Sequence, residues 1–130
     1  GYDTYAGNMK SISARLLMLI TAANDLQVIT GDIGSAYLNA KSDLKTAIAL
    51  GKEFNVYDSK IPEHTLAAVE KALYGLPTSA NRWNAHLSDN LRTMVFKPTR
   101  FDPDIGIKLR ANKAGYNYIG THTDDLMIVA

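Results

Sequence analysis

The segment YNYIGTHTDDLMIVA, residues 116–130, constrains the fold more than any other part of the sequence. An alternating stretch, YNYIGTHT, and a short apolar stretch, LMIVA, flank two adjacent aspartates, Asp124 and Asp125. Alternation with a period of two indicates a half-buried strand, and two such strands joined by a short polar turn indicate a hairpin. We therefore predict an antiparallel hairpin with Asp124 and Asp125 at or beside its turn.

The composition is that of a folded, soluble globular chain. Hydrophobic residues make up 46% and charged residues 21% of 130 residues, which predicts one unit with a core of its own. The net charge of +1 gives no electrostatic sign of nucleic acid, membrane or acidic substrate, and it argues against a self-sufficient nucleic-acid binder. The absence of cysteine excludes disulfides and thiolate zinc sites, and no apolar run is long enough to span a membrane.

Two segments have the spacing of amphipathic helices. The first covers 11–24, where Ser11 or Ser13 provides the cap and Asn24 the end. Its apolar residues at helical spacing are Leu16, Leu19, Ile20 and Ala23. The second covers 79–95 and begins after Thr78 or Ser79 as cap. Its apolar stripe consists of Trp83, Leu87, Leu91 and Met94.

The rest of the chain reads mainly as short strands. LQVIT, at 26–30, is predicted to be a short buried strand. In FDPDIGIKL the chain is predicted to turn at Pro103 and then to form a second strand. KTAIAL and EFNVY are ambiguous and are taken as short strands. In TLAAVEKALYGL, at 65–76, residue propensities favour a helix ended by Gly75. Intermixed helices and hairpin-linked strands predict an α+β fold with an antiparallel sheet.

Aspartate is far more common than glutamate among the acidic residues, with ten aspartates and three glutamates. The simplest interpretation of Asp124 and Asp125 is a solvated turn, because aspartate favours turns. Asp32, however, follows the other β-rich run at a strand-to-loop junction, where functional residues are common. Three carboxylates meeting at the sheet ends would repel one another unless divalent cations neutralised them. Magnesium prefers such oxygen ligands, and two ions about 3.5–4 Å apart serve phosphoryl transfer.

Three segments, in this order, resemble the reverse transcriptase domain of copia-type LTR retrotransposons. GDIGSAYLNA is similar to the first catalytic motif of that family, and KALYGLPTSANRW is similar to its KALYGL…W signature. YIGTHTDDLMIVA lies where the family has its YVDD hairpin. The resemblance extends from about Met9 onward. It implies a polymerase palm-like antiparallel sheet packed on two helices, with a strand rather than a helix over 67–72.

The resemblance also implies roles for individual residues. Asp32 and Asp124 would be the main ligands of two Mg²⁺ ions, with Asp125 as the supporting carboxylate. The backbone of Ile33, Gly34, Ser35 and Ala36 would lie against the incoming triphosphate. Tyr37 would be the aromatic residue that blocks a ribose 2′-OH, and the alternative is a tyrosine of the core. Trp83 lies on the apolar stripe and is more simply a core residue.

Two residues depart from the family pattern. Pro77 stands where a basic residue usually follows YGL, which removes a charge and a backbone donor. His122 stands where the hairpin usually has a tyrosine that contacts the primer. A lone histidine without a second ligand at a suitable spacing is most simply a polar strand residue, and an alternative to catalysis is that the element has lost selection for activity.

The function implied by the resemblance is RNA-directed DNA polymerisation, with a template-primer and deoxynucleoside triphosphates as partners. Residues 1–130 would be a single fragment of the fingers and palm, inactive in isolation, with thumb, RNase H and integrase regions elsewhere in a polyprotein. The location would be intracellular, in the cytoplasm and virus-like particles of a eukaryotic host, with no membrane partner. Two alternatives stay open: a decayed or domesticated palm-like fragment without catalysis, and an unrelated RRM-like nucleic-acid-binding module, which needs exposed aromatics on its sheet.

Overall fold

The computed structural model describes Thr4 and residues 6–130. This part of the chain has α+β architecture, with helices and antiparallel strands intermixed along the sequence. The elements are α1 (Ser11–Ala23), β1 (Val28–Asp32), a 3₁₀ helix (Ala36–Asn39), β2 (Ala47–Ala49), α2 (Glu53–Tyr57), β3 (Leu66–Ala68), α3 (Ser79–Thr93), β4 (Lys97–Pro98), β5 (Ile105–Leu109), β6 (Tyr116–His122) and β7 (Asp125–Val129). In the part of the chain that the structure describes, no helix is both long enough and apolar enough to cross a membrane.

The main sheet has the strand order β1-β7-β6-β5-β4, and each neighbouring pair is antiparallel. Strands β2 and β3 form a separate two-stranded ribbon. Strands β6 and β7 form the predicted hairpin, in which His122 pairs with Asp125 and the turn consists of Thr123 and Asp124. The prediction of an α+β fold with an antiparallel, palm-like sheet packed on two helices is confirmed.

The two long helices lie on opposite faces of the main sheet. On one face, Leu17 of α1 forms a buried cluster with Ile105 and Val129. On the other face, Trp83 and Leu87 of α3 pack with Leu126. Val129 and Leu126 are separated by an odd number of positions along β7, so their side chains point to opposite faces. The main sheet therefore has one long helix on each face, α1 beside Val129 and α3 beside Leu126.

Helix α1 begins at Ser11 but is not capped by Ser11 or Ser13 as predicted. Instead the backbone N–H of Lys10 donates to Oδ2 of Asp102 at 2.9 Å, and Asp102 is completely buried. The predicted apolar stripe is also rotated, because Leu17 is buried while Leu16 and Leu19 are exposed. A carboxylate from a distant loop thus supplies the cap that local spacing assigned to serine.

Several of the short segments differ from their predictions. The strand expected at 26–30 lies instead at Val28–Asp32 and is mostly exposed, because β1 is an edge strand. EFNVY is the short helix α2, since it has no neighbouring strand and bonds locally, with the N–H of Asp58 donating to the carbonyl of Phe54. KTAIAL contains the short strand β2, as expected. In TLAAVEKALYGL, at 65–76, only residues 66–68 form a strand. The helix that residue propensities favour over 65–76 is absent, and the strand that the resemblance implies over 67–72 is shorter and lies at 66–68.

Candidate active site

The three aspartates singled out by the sequence lie at one end of the main sheet. Asp32 is the last residue of β1, Asp125 is the first residue of β7, and the two are register partners. Asp124 lies in the adjoining turn, where its carbonyl accepts a hydrogen bond from the N–H of Ile33 at 2.9 Å. The register therefore places Asp125 directly opposite Asp32, with Asp124 one residue further along.

The pairing pattern fixes how closely Asp32 and Asp125 approach each other. Gln27 and Ala130 exchange two backbone hydrogen bonds, of 2.9 and 3.1 Å, at the far end of the β1–β7 ladder. Hydrogen-bonded and non-hydrogen-bonded pairs alternate along an antiparallel ladder, so Asp32 and Asp125 form a non-hydrogen-bonded pair. In such a pair the Cα atoms are about 4.5 Å apart and the side chains share one face of the sheet.

The electrostatics of this pair suit a bound cation. Like charges directly opposite each other on a sheet destabilise it. The ion pairs among the described residues, Glu63 with His64 and Asp89 with Arg92, involve neither aspartate. Both carboxylates are exposed, whereas Asp124 is half-buried. A divalent cation would remove the repulsion between them.

The donor set fits magnesium without forming a complete cage. Over Thr4 and 6–130, no group of three or more histidine or acidic side chains is arranged to hold a metal ion. Magnesium commonly takes only one or two carboxylates and fills its other positions with water and substrate phosphates. Asp32 and Asp125, which face each other across the ladder, supply that number of hard oxygen donors.

A cavity of about 420 Å³ opens beside the carboxylate pair. Its lining includes Asp32, Asp125 and His122, together with Met9 and with Met18 of α1. His122 is the cross-strand partner of Asp125 and is exposed, with no ion pair to either aspartate. His122 therefore lies within the candidate site as a polar strand residue.

The segment predicted to contact a triphosphate follows directly after Asp32. Gly34 and Ser35 form an exposed turn, in which Ser35 adopts a left-handed conformation with φ of 54°. Ile33 is half-buried, and Ala36 is completely buried at the start of the 3₁₀ helix. The side chains of Ile33 and Ala36 thus anchor the turn in the core, while Gly34 and Ser35 are exposed to solvent.

Tyr37 is half-buried and packs against the cluster that contains Trp83. Its ring also stacks on the ring of Tyr74, with centroids 4.4 Å apart and an angle of 22° between the planes. Tyr74, from the KALYGL segment, is 63% exposed. The stack is a geometry that sequence reasoning missed, because the two residues are distant in the chain.

Trp83 is 3% exposed, which confirms that it belongs to the core. Its indole Nε1–H also donates to the carbonyl of Thr123, in the aspartate turn, at 2.6 Å. On the other side of Thr123, its N–H donates to Oδ1 of Asn8 at 2.7 Å. Sequence reasoning identified neither contact, although a buried tryptophan N–H usually requires an acceptor.

A family model described as reverse transcriptase (RNA-dependent DNA polymerase) matches residues 2–130. The chain therefore belongs to this reverse transcriptase family, which is the copia type. Comparison with curated proteins and with solved structures gives no match.

Proposed function

We propose that this chain forms the catalytic palm region of an RNA-directed DNA polymerase. The observation that carries the proposal is the facing of Asp32 and Asp125 across the β1–β7 ladder, with Asp124 beside them, in a member of the reverse transcriptase family. Membership of that family leaves no reason to propose an unrelated RRM-like module.

Asp32 and Asp124 would be the main carboxylates for two Mg²⁺ ions, and Asp125 would support them from its position opposite Asp32. When bound, magnesium supplies charge neutralisation at the attacking and leaving oxygens of nucleotidyl transfer. The protein's own contribution is to hold the carboxylates at the rigid end of the sheet. That placement avoids reorganisation as charge develops on the phosphate.

The nucleotide lies against the turn that follows Asp32. The exposed backbone of Gly34 and Ser35, anchored by Ile33 and Ala36, contacts the triphosphate. Tyr37, held by its stack on Tyr74, lies below the sugar and excludes a ribose 2′-OH. A rigid ring at this place selects deoxynucleotides by steric exclusion.

The partners of this site are an RNA or DNA template with its primer and deoxynucleoside triphosphates. Residues 1–130 act as a fragment of the fingers and palm within a retrotransposon polyprotein that also supplies thumb and RNase H regions. The site of action is the cytoplasmic virus-like particle of a eukaryotic host.

RNA-templated primer extension by the full-length polyprotein tests this proposal. Asp124→Asn is expected to lower the extension rate by about 100-fold or more, since an amide holds a cation poorly. Asp89→Asn is the matched control, because Asp89 is an exposed aspartate on α3 and lies outside the site. Equal rates for the parent and Asp124→Asn would contradict the proposal. A folded but inactive parent would support the alternative of a decayed palm.

A further inference from the structure

Thr123, immediately before Asp124, has an unfavourable backbone conformation. Its φ is 55°, in the left-handed region. A β-branched residue is an outlier there because its side chain crowds its own backbone. Such a conformation persists only where the surrounding structure holds it in place.

Hydrogen bonds hold Thr123 on both sides. Its N–H donates to Oδ1 of Asn8 at 2.7 Å, and its hydroxyl lies 3.2 Å from the same atom. Its carbonyl accepts the indole N–H of Trp83 at 2.6 Å. Both polar groups of the Thr123 main chain are therefore satisfied by side chains from outside the hairpin.

Trp83 and the backbone segment that carries Asn8 are themselves held in place. Trp83 is buried in the cluster beneath the turn. Asn8 lies in a segment that pairs with His122, and this segment is tied to α3 because the side-chain amide of Asn84 donates to the carbonyl of Gly7 at 3.2 Å. Helix α3 thus supports the turn directly through Trp83 and indirectly through Asn84.

The contact with Trp83 bears directly on Asp124. The Thr123 carbonyl belongs to the peptide plane that also contains the Asp124 nitrogen, and the next carbonyl, that of Asp124, accepts the N–H of Ile33. The peptide planes on both sides of the Asp124 Cα are therefore held, one by α3 and one by the residue that follows Asp32.

We propose that Trp83 and Asn8 are positioning residues that hold the strained Thr123 turn and so fix Asp124 relative to Asp32. The catalytic consequence rests on the proposed function, whereas the structural claim does not. Trp83, the tryptophan of the KALYGL…W segment, would then donate a hydrogen bond that holds the aspartate hairpin, in addition to packing in the core.

Amide hydrogen exchange in the intact chain tests the structural claim. Trp83→Phe keeps an aromatic ring and removes the N–H donor to the Thr123 carbonyl. Asn8→Ala removes the acceptor of the Thr123 N–H at an exposed position outside the core. Asn8→Ala is expected to speed hydrogen exchange of the Thr123 amide about tenfold. Trp83→Phe is expected to speed exchange of the Ile33 amide by about the same factor. Amides of β5, such as that of Ile107, should keep their protection in both variants. Unchanged exchange in the turn for Asn8→Ala, or a uniform increase across the sheet for both variants, would overturn the claim.

A second substitution separates positioning from packing. Thr123→Gly removes the steric cost of positive φ without adding a contact. In the full-length polymerase, Trp83→Phe is expected to lower kcat about tenfold with the nucleotide KM unchanged, and adding Thr123→Gly is expected to restore most of that loss. No restoration would show that Trp83 acts only through packing. If the exchange results hold but the parent extends no primer, the positioning claim stands and the proposed function fails.

Discussion

Asp102 is a single residue that joins the loop before β5 to the start of α1. Its carboxylate is completely buried and accepts the backbone N–H groups of Lys10, at 2.9 Å, and Asp104, at 3.1 Å. Burial alone would raise its pKa, but the nearby Ser13 hydroxyl and these two N–H donors favour the ionised form, and the pKa is lowered overall. The helix terminus thus depends on a charged side chain far away in the sequence.

We expect Asp102→Asn to destabilise the fold by about 1–3 kcal/mol at pH 7, because one of the N–H donors loses a charged acceptor. Because the pKa of Asp102 is lowered in the folded protein, this contribution is fully present above about pH 3.8, the unfolded value, and is lost as the pH falls through the folded value. Urea unfolding across acidic pH measures it. An identical pH dependence in the wild type and the variant would contradict this role.

The contribution of Asp104 to stability depends on pH in the opposite direction from that of Asp102. Burial raises its pKa, and the charge of Asp102 adds to the rise, although a hydrogen bond from Asn84 opposes it. A raised pKa gives stability that is present below the unfolded value and is lost as the pH rises through the folded value. Asp104→Asn is therefore expected to be relatively more stable at pH 7 than at pH 3, when each is compared with the wild type by urea unfolding. A constant difference between the two pH values would contradict this expectation.

The stack of Tyr37 on Tyr74 predicts an effect on sugar selection. Tyr37→Ala in the full-length polymerase should raise the ratio of ribonucleotide to deoxynucleotide incorporation by about tenfold or more. Tyr74→Ala should raise it less, because it removes only the ring that supports Tyr37. Tyr116→Ala, at an exposed tyrosine outside the cluster, is the control. Selection that is unchanged in Tyr37→Ala would identify Tyr37 as a core residue alone.

At the scale of the elements, Gly106 of β5 lies in close contact with Ile119 of β6 and with Phe96, in the segment after α3. A Cβ atom at this position would lie 2.9 Å from Cγ2 of Ile119 and 3.2 Å from Cβ of Phe96. Gly106→Ala is expected to lower the free energy of unfolding by about 1–3 kcal/mol through overpacking. Gly31→Ala in β1 is the matched control, since nothing lies within 4 Å of its added Cβ. Equal stabilities of the two variants, measured by urea unfolding, would contradict this close packing.

The sequence was sufficient for elements whose pattern is local and strong. Helix α3 and the β6–β7 hairpin have clear periodicities, and both lie close to their predicted positions. The short segments could not be predicted in the same way, because tertiary pairing decides whether three to five residues form a strand or a turn of helix. EFNVY shows this, since its residues favour a strand but no neighbouring strand is available.

The candidate site was predictable in part for the same reason. Asp32 and the aspartate pair each end a recognisable strand, so their presence at one end of the sheet followed from the pattern. The exact register that places Asp125 opposite Asp32 did not, because a shift of one residue exchanges the faces of a strand. The bonds of Asn8 and Trp83 to Thr123 span 115 and 40 residues of sequence, and no local rule predicts them.

At the scale of the whole molecule, the three sequence motifs meet in one region. The first motif supplies Asp32 and Tyr37, the KALYGL…W segment supplies Tyr74 and Trp83, and the hairpin completes the region with its aspartates. Each motif contacts another, which gives a physical reason for their occurrence in one chain. The proposed polymerase function depends on this shared region rather than on any single motif.

The central claim is that Asp32 acts with the aspartate hairpin in magnesium-dependent DNA synthesis. Its most direct test is the rate of single-nucleotide incorporation on an RNA template by the full-length polymerase and its Asp32→Asn variant, over a range of Mg²⁺ concentrations. We predict a rate at least about 100-fold lower for the variant at every Mg²⁺ concentration. Equal rates for the two proteins would contradict the claim.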